Sequence, residues 1–297
     1  MTLQFGVFVP QFRIDFAGMR ERAVAAERAG FDSFWVMDHL FSPGTKPSDT
    51  LESWTLLTAL AGVTDTMRLG HLVACNPLRH PAITAKMAAT LDQISGGRFD
   101  LGIGWGSVEA EFEMFGIRAG SRRERAEQLG ETLEIFRAMC SGEPFDFIGR
   151  HYQLRGAYGR PTPVQDRIPV HIGGGGVQLT MPLVADYADW WNCVGNARHR
   201  FDELASLRGN ARISAQYPVG FAASTAELDD VAAATARRLP EPAWGTPLLG
   251  TADRVIEQLR AERNRGVELF VLRFHDFAPA ETLERFGRDV ITPLRGA

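Results

Sequence analysis

Eight strand-length apolar runs, alternating almost throughout with stretches of helical spacing, constrain this chain more than any other feature. The runs occupy 4–9, 31–37, 69–74, 99–103, 168–172, 187–194, 213–222 and 268–274. They are largely continuous rather than alternating, as expected for strands covered on both faces. Helical periodicity occupies 16–29, 52–64, 81–94, 122–139, 177–186, 225–239, 252–265 and 279–290. Strand–helix units repeated in this number predict a parallel sheet closed into a (β/α)8 TIM barrel, with 1–297 as one domain. The rival is an open doubly wound sheet. Its G-x-G-x-x-G turn is missing, because Pro10-Gln11-Phe12 follows the first strand.

One segment breaks the alternation. Residues 141–167 hold Pro144, Gly149, Gly156, Gly159, Pro161 and Pro163 among aromatics, too long for a plain connector in a compact domain. An insertion that acts as a lid or wraps the surface is expected. A second addition, about 225–245, reads as an extra helical segment.

Composition narrows the class of partner. Apolar residues make up 45% of the 297 and charged residues 23%, and no apolar run approaches the roughly 20 residues a membrane span needs. The opening MTLQFGVFVPQ enters a strand at once, without the basic start of a secretory signal, so a cytoplasmic location is expected. The formal charge of −4 and the dispersed arginines offer no footprint for nucleic acid. Cys75, Cys140 and Cys193 form no C-x-x-C pair, which suggests neither a disulfide framework nor a metal site.

Candidate chemistry lies where strands should emerge at the carboxyl-end rim of the barrel. Asp38-His39 follows the second run, either as an acid–base pair or as a polar end to a strand. Ala74-Cys75-Asn76-Pro77 follows the third; Cys75 is small enough for a flat ring to approach, and no base near it in sequence marks it as a nucleophile. After the fourth run comes Gly104-Trp105-Gly106-Ser107. Gly106 and Ser107 read as cofactor contacts and Trp105 as a substrate platform or simple packing. Glu109 is a weaker acid–base candidate and Glu111 reads as structural, both suited to the positive end of a short helix. The glycines 173–176, with Val177 opening a helix, offer backbone N–H groups to a phosphate, or else form a flexible linker. Asn192, Arg273 and His275 are candidate substrate contacts, the last two alternatively a surface ion pair.

Seven segments taken in order then carry a resemblance. DHL at 38–40, RHPAITAKMAATLDQISGGRFDLGIGWG at 79–106, E-F-x-x-F-G at 111–116, GRHYQL at 149–154, PTPVQ at 161–165, IGGGG at 172–176 and DYADWWN at 186–192 resemble the luciferase-like monooxygenase superfamily, most closely its branch dependent on coenzyme F420. The resemblance implies a barrel binding F420, or alternatively FMN, with Asp38 and His39 beside the ring. It further implies a cis peptide at Ala74-Cys75 that bulges against that ring, with Asn76 also a cofactor contact, Gly173, Gly174, Gly175 and Gly176 around the phosphate, and His39 as proton donor or acceptor. It implies a small-molecule substrate, a homodimer, and a flavin or F420 reductase that supplies reduced cofactor. One departure is visible. Where that branch commonly has a basic residue or Thr after the glycines, this chain has Val177, Gln178 and Leu179, which leaves backbone N–H groups to hold the phosphate.

Overall fold

In a computed structural model describing residues 3–44 and 46–296, the runs rich in β-branched and aromatic residues are strands and the 3.6-periodic stretches are helices. The strands are β1 (Gln4–Phe8), β2 (Ser33–Val36), β3 (Arg68–His71), β4 (Ala74–Cys75), β5 (Phe99–Gly104), β6 (Phe145–Ile148), β7 (Gln153–Ala157), β8 (Val170–Gly173), β9 (Trp190–Cys193), β10 (Arg212–Phe221), β11 (Leu248–Gly250) and β12 (Leu269–Phe274). Parallel pairing runs from β12 through β1, β2, β3, β5, β8 and β9 to β10. It closes where β10 pairs with β12 over Ser214↔Leu269 to Val219↔Phe274. This is the (β/α)8 barrel expected from the sequence.

The helices are α1 (Phe16–Arg28), α2 (Ser53–Ala61), α3 (Pro81–Ser95), α4 (Glu109–Met114), α5 (Arg122–Ser141), α6 (Thr180–Tyr187), α7 (Phe201–Ser206), α8 (Leu228–Arg238), α9 (Glu241–Trp244), α10 (Ala252–Asn264), α11 (Ala280–Phe286) and α12 (Thr292–Gly296). Alternate residues of each strand face opposite ways, so two apolar layers form. Phe5, Val7, Phe34, Leu69, Phe99, Leu101, Val170 and Phe270 pack outward under the helices. Phe8, Trp35, Leu72, Trp190, Leu269 and Val271 fill the interior.

Trp35 occupies the middle of that interior, fully buried, with its indole N–H donated to Ser33 Oγ at 2.8 Å. Neighbouring strands make room for it. A Cβ on Gly6 would lie 2.7 Å from Trp35 Nε1, and one on Gly70 would lie 2.5 Å from its ring. His171 stands edge-on to Trp35, ring centroids 4.8 Å apart, and lies flat on Trp190. Toward the amino end of the barrel, Arg68 grips Asp100 through two nitrogens at 2.9 and 2.5 Å.

The insertion is a wrap and not a lid. Antiparallel β6 and β7 form a hairpin whose turn hangs on Glu131 of α5, which accepts the N–H groups of Arg150, His151 and Tyr152. Farther on, buried Asp92 of α3 accepts from Val164 N at 2.7 Å and from Gln165 Nε2 at 2.7 Å. The extra segment is α8 and α9. Strand β11, which pairs with the end of β10, is an addition that the sequence patterns did not distinguish.

Two boundaries and the place of a cis bond differ from expectation in ways that bear on the rim. The run 69–74 is split: β3 stops at His71, the Leu72–Val73 peptide is cis, and β4 then resumes. The cis bond expected at Ala74-Cys75 therefore lies two residues earlier, because Ala74 and Cys75 pair in regular register with Ile103 and Gly104. Helix α6 starts at Thr180 and not at Val177. Both Thr180 N and Met181 N bond to Gly176 O, and residues 176–178 are exposed, so no apolar anchor draws the helix back further.

His71 faces outward beneath α2, fully buried, 4.4 Å from the Trp54 ring centre and 6.1 Å from that of Phe99. Burial pushes its pKa down to about 4, while the unfolded chain still takes up a proton near pH 6.5. The native stability it contributes is complete above pH 6.5 and is lost as pH falls toward 4, at up to about 1.4 kcal/mol per unit. Urea denaturation of wild type and His71→Phe at pH 7, 6, 5 and 4.5 should show the wild-type curve falling faster by roughly that slope. Parallel curves would show that His71 is not the titrating group.

Candidate active site

The rim at the carboxyl ends of the strands is organised by one buried carboxylate. Asp38, 3% exposed at the end of β2, accepts from Ser53 Oγ at 2.6 Å, from Cys75 N at 2.9 Å and from two nitrogens of Arg79 at 2.6 and 3.0 Å. Burial alone would raise its pKa. The charge and hydrogen bonds of Arg79, with the Ser53 hydroxyl, outweigh that and hold it below the ordinary carboxylate range. Arg79 also reaches Glu52 at 2.9 Å and lies over Trp54. The expected ring-contacting role of Asp38 therefore gives way to a structural one: its oxygens are committed to tying the turn after β2 to the turn after β4.

That tie presents the neighbouring histidine. His39 Nδ1 lies 2.9 Å from Glu111 Oε2, and the other oxygen of Glu111 accepts from Leu40 N at 2.6 Å. Glu111 is fully buried, whereas the His39 side chain is 27% exposed. A carboxylate that already accepts a backbone N–H is an acceptor toward Nδ1 too, which assigns the Nδ1–H tautomer and leaves Nε2 as the open nitrogen. The expectation for Glu109 is corrected here. Its side chain is 57% exposed and turned to Arg125 and Arg122 at 3.2 and 3.4 Å, so Glu111, two residues on and one turn inward, is the carboxylate on His39.

Across the mouth, Val73 projects between the strand ends. A Cβ on Gly104 would come within 2.8 Å of Val73, and one on Gly173 within 3.1 Å. Ala74 and Cys75 are buried away from the opening; Cys75 packs with Phe112 and Ala119, and burial pushes its thiol pKa up, as expected for a non-nucleophile. Val73 thus takes the inward place assigned to Cys75. Asn76 is buried beside the Tyr152 hydroxyl. Trp105 donates its indole N–H to Thr180 Oγ1 at 3.1 Å and lies 5.5 Å from the guanidinium of buried Arg125, while Ser107 is exposed. Gly174 N donates to Asn192 O at 3.1 Å.

The remaining quadrant, formed by β9, β10 and β12, is polar and aromatic. Asn192, fully buried, accepts from Gln216 Nε2 at 2.8 Å and donates to Ser214 Oγ at 2.9 Å. Arg273 makes no hydrogen bond or ion pair among the described residues; its guanidinium stacks 3.6 Å from the Trp244 ring centre. His275 keeps a buried, unpartnered Nδ1. Residues 38–39, 72–76, 104–107, 173–180 and 192 are therefore joined by direct contacts at one mouth. Sequence reasoning missed Val73, Arg79, Arg125, Gln216 and Trp244. Gln216 had an available signal, since it shares inward parity with Ser214 along β10, and Arg79 opens the RHP segment that carried the resemblance.

The arrangement fits a phosphorylated planar cofactor. A Cβ on Gly106, whose φ is +82°, would strike Phe112 at 2.8 Å and Cys75 at 3.1 Å, so bare backbone is required there. The N–H groups of Gly175 and Gly176 have no backbone acceptor among the described residues, so they are open to an anion. Thr180 Oγ1, the nearest hydroxyl, already accepts from Trp105.

Residues 3–247 match the profile of the family described as luciferase-like monooxygenase. Over 183 residues the chain is 34% identical to an uncharacterised Mycobacterium tuberculosis protein, covering 56% of this chain and 64% of that one. Over 191 residues it is 32% identical to the pyrimidine monooxygenase RutA of Variovorax paradoxus, covering 63% of this chain and 51% of the relative. The chain thus matches less than two thirds of the length of either relative. A solved F420-dependent secondary alcohol dehydrogenase, bound to an F420–acetone adduct, superposes with a TM-score of 0.80 at 20% identity over 98% of this chain and 99% of the other; that likeness concerns the fold.

Replacing Asp38 by Asn leaves Arg79 buried with only the partly exposed Glu52 for charge. Stability in urea should fall by about 3 kcal/mol, as for other broken buried pairs. Asp38→Asn combined with Arg79→Gln should lose less than the sum of the two single changes. Strict additivity would show that the pair is not coupled.

Proposed function

Because the chain belongs to the luciferase-like monooxygenase family, we propose that it is an oxidoreductase using coenzyme F420 to pass a hydride to or from a small organic carbonyl, alcohol or activated alkene. The observation that carries this reading is the His39–Glu111 pair. Hydride movement at a carbonyl carbon must be matched by a proton at its oxygen, and His39 has one nitrogen held and one open for that proton. Glu111 fixes the tautomer and ring orientation and is a positioning residue. The N–H groups of Gly175 and Gly176 would hold the phosphate, and Gly106 and Val73 would flank the planar part. A bound deazaflavin would supply the hydride chemistry.

The likeness to the pyrimidine monooxygenase favours a second reading, an FMN-dependent monooxygenase of the two-component type that takes reduced flavin from a separate reductase and uses O₂. Oxygen chemistry of that kind benefits from a closable cover over the mouth. The 141–167 segment is strapped to α3 and α5, which supports hydride transfer over oxygen insertion.

Titration with F420 and with FMN, followed by Trp fluorescence, should give tighter binding of F420; the reverse order removes the first reading. His39→Ala should lower turnover by about 10²-fold or more while leaving cofactor affinity within a few-fold. In Glu111→Gln the amide can donate to Nδ1, placing the proton on Nε2, so the pH–rate profile should change shape along with the rate. An unaltered profile would remove Glu111 from the proton path.

A further inference from the structure

Among the described residues Arg273 has neither a counter-charge nor a hydrogen-bond acceptor, whereas the other inward or buried arginines have one or the other: Arg98 and Arg198, without carboxylates, donate to main-chain carbonyls. Arg68 has Asp100, Arg79 has Asp38, and Arg125 reaches Glu109. On β12, at the inward-facing parity of Leu269 and Val271, Arg273 has no carboxylate, carbonyl or hydroxyl partner among the described residues. Its contacts are aromatic: Trp244 at 3.6 Å and Phe8 at 5.6 Å from the ring centres. Burial pushes its pKa down to about 9, so it is still charged at neutral pH and its charge is poorly compensated.

The surroundings are built to keep it there. Trp244 ends α9, which is locked against the loop after β9. A Cβ on Gly195 would fall 1.8 Å from Trp244 O, one on Gly245 would fall 2.3 Å from Gly195 O, and Arg198 donates to Thr246 O at 2.9 Å. On the other side, Phe277 and Ala278 both hold positive φ, 65° and 54°. Such backbone is strained for a side-chain-bearing residue and persists where the surroundings enforce it, often at ligand clamps. Here Arg22 donates to Phe277 O at 2.9 Å, and Asp276 accepts from Ala278 N at 3.0 Å. The result sets Phe277 edge-on to Phe12, centroids 5.5 Å apart, against the same aromatic cluster.

Resting on the oxidoreductase reading above, we propose that the substrate is an organic monocarboxylate with a flat or apolar body, its carboxylate held by the edge of Arg273 and its body lying among Phe8, Phe12, Trp244 and Phe277. Trp244 covers one face of the guanidinium, which leaves the in-plane N–H groups free, and those are the donors a carboxylate takes in pairs. A single unpaired cation matches a single negative charge. The glycines proposed for the phosphate follow β8, separated from β12 by β9 and β10, so the two anions would take different parts of the mouth. Gln216, donating to Asn192 from the neighbouring strand, completes the polar wall on that side.

Two pairs of probes test this: benzoate against benzamide, and phenylacetate against phenylacetamide, each titrated into the purified protein by Trp fluorescence without added cofactor. Each acid should bind about tenfold or more tightly than its amide, as a charge-assisted bidentate pair requires. Arg273→Gln should erase that preference, Arg273→Lys should keep part of it, and both should melt cooperatively. Equal binding of acid and amide to wild type, or a preference that survives in Arg273→Gln, overturns the proposal. So does a large loss of F420 or FMN affinity in Arg273→Gln, which would give the arginine to the cofactor. If acids are preferred while neither F420 nor FMN binds, the carboxylate site stands and the oxidoreductase reading falls.

Discussion

The contact between Asp38 and Arg79 is the constraint on which the rim depends. Three segments far apart in the chain meet there: the turn after β2, the start of α2 through Ser53, and the turn after β4 through the N–H of Cys75 and the side chain of Arg79. A buried pair of this kind gains from Coulomb attraction only if every remaining donor and acceptor is satisfied. Both oxygens of Asp38 are, and the geometry is over-determined as a result. His39 inherits its position from that rigidity, because the residue before it cannot move.

The mouth divides into two halves of different chemistry. From β3 to β8 it is small and backbone-rich, with Gly104, Gly106 and the glycines 173–176 around Val73, and side chains are excluded by contact with neighbouring atoms. From β9 to β12 it is polar and aromatic, with Asn192, Gln216, Arg273, Trp244 and Phe277. The first half suits a large planar group needing close approach to main chain; the second suits a smaller molecule recognised by its own functional groups. His39 belongs to the rim on the glycine side, held by Glu111 of α4, the short helix after β5.

The barrel was legible because its signal is redundant: eight apolar runs of strand length, nearly all with a helix behind them, admit few topologies. The rim loops were legible in position for the same reason, since strand ends define the rim. What the side chains do there was less so. Asp38 and Cys75 sit where motif reading put them, yet both turn into the protein, because their roles are set by Arg79 and Phe112, which approach from other elements. Glu109 and Glu111 are equally acidic neighbours in sequence, and only helical phase, fixed by packing of α4, separates the exposed one from the one on His39. Arg125 and Trp244 were invisible because each reaches the site by tertiary contact from a helix outside the strand-end pattern.

The meeting of Gly195 with Gly245 bears on how such a scaffold diversifies. Main chain rests on main chain there, so the height of the α9 turn above the barrel is independent of the residues flanking it. The flanking side chains can therefore be exchanged while the aperture keeps its width, much as a lens mount accepts different lenses at one focal distance. A scaffold built this way can hold the opposite half of its mouth fixed while a handful of positions on a single short turn set what the aromatic half presents.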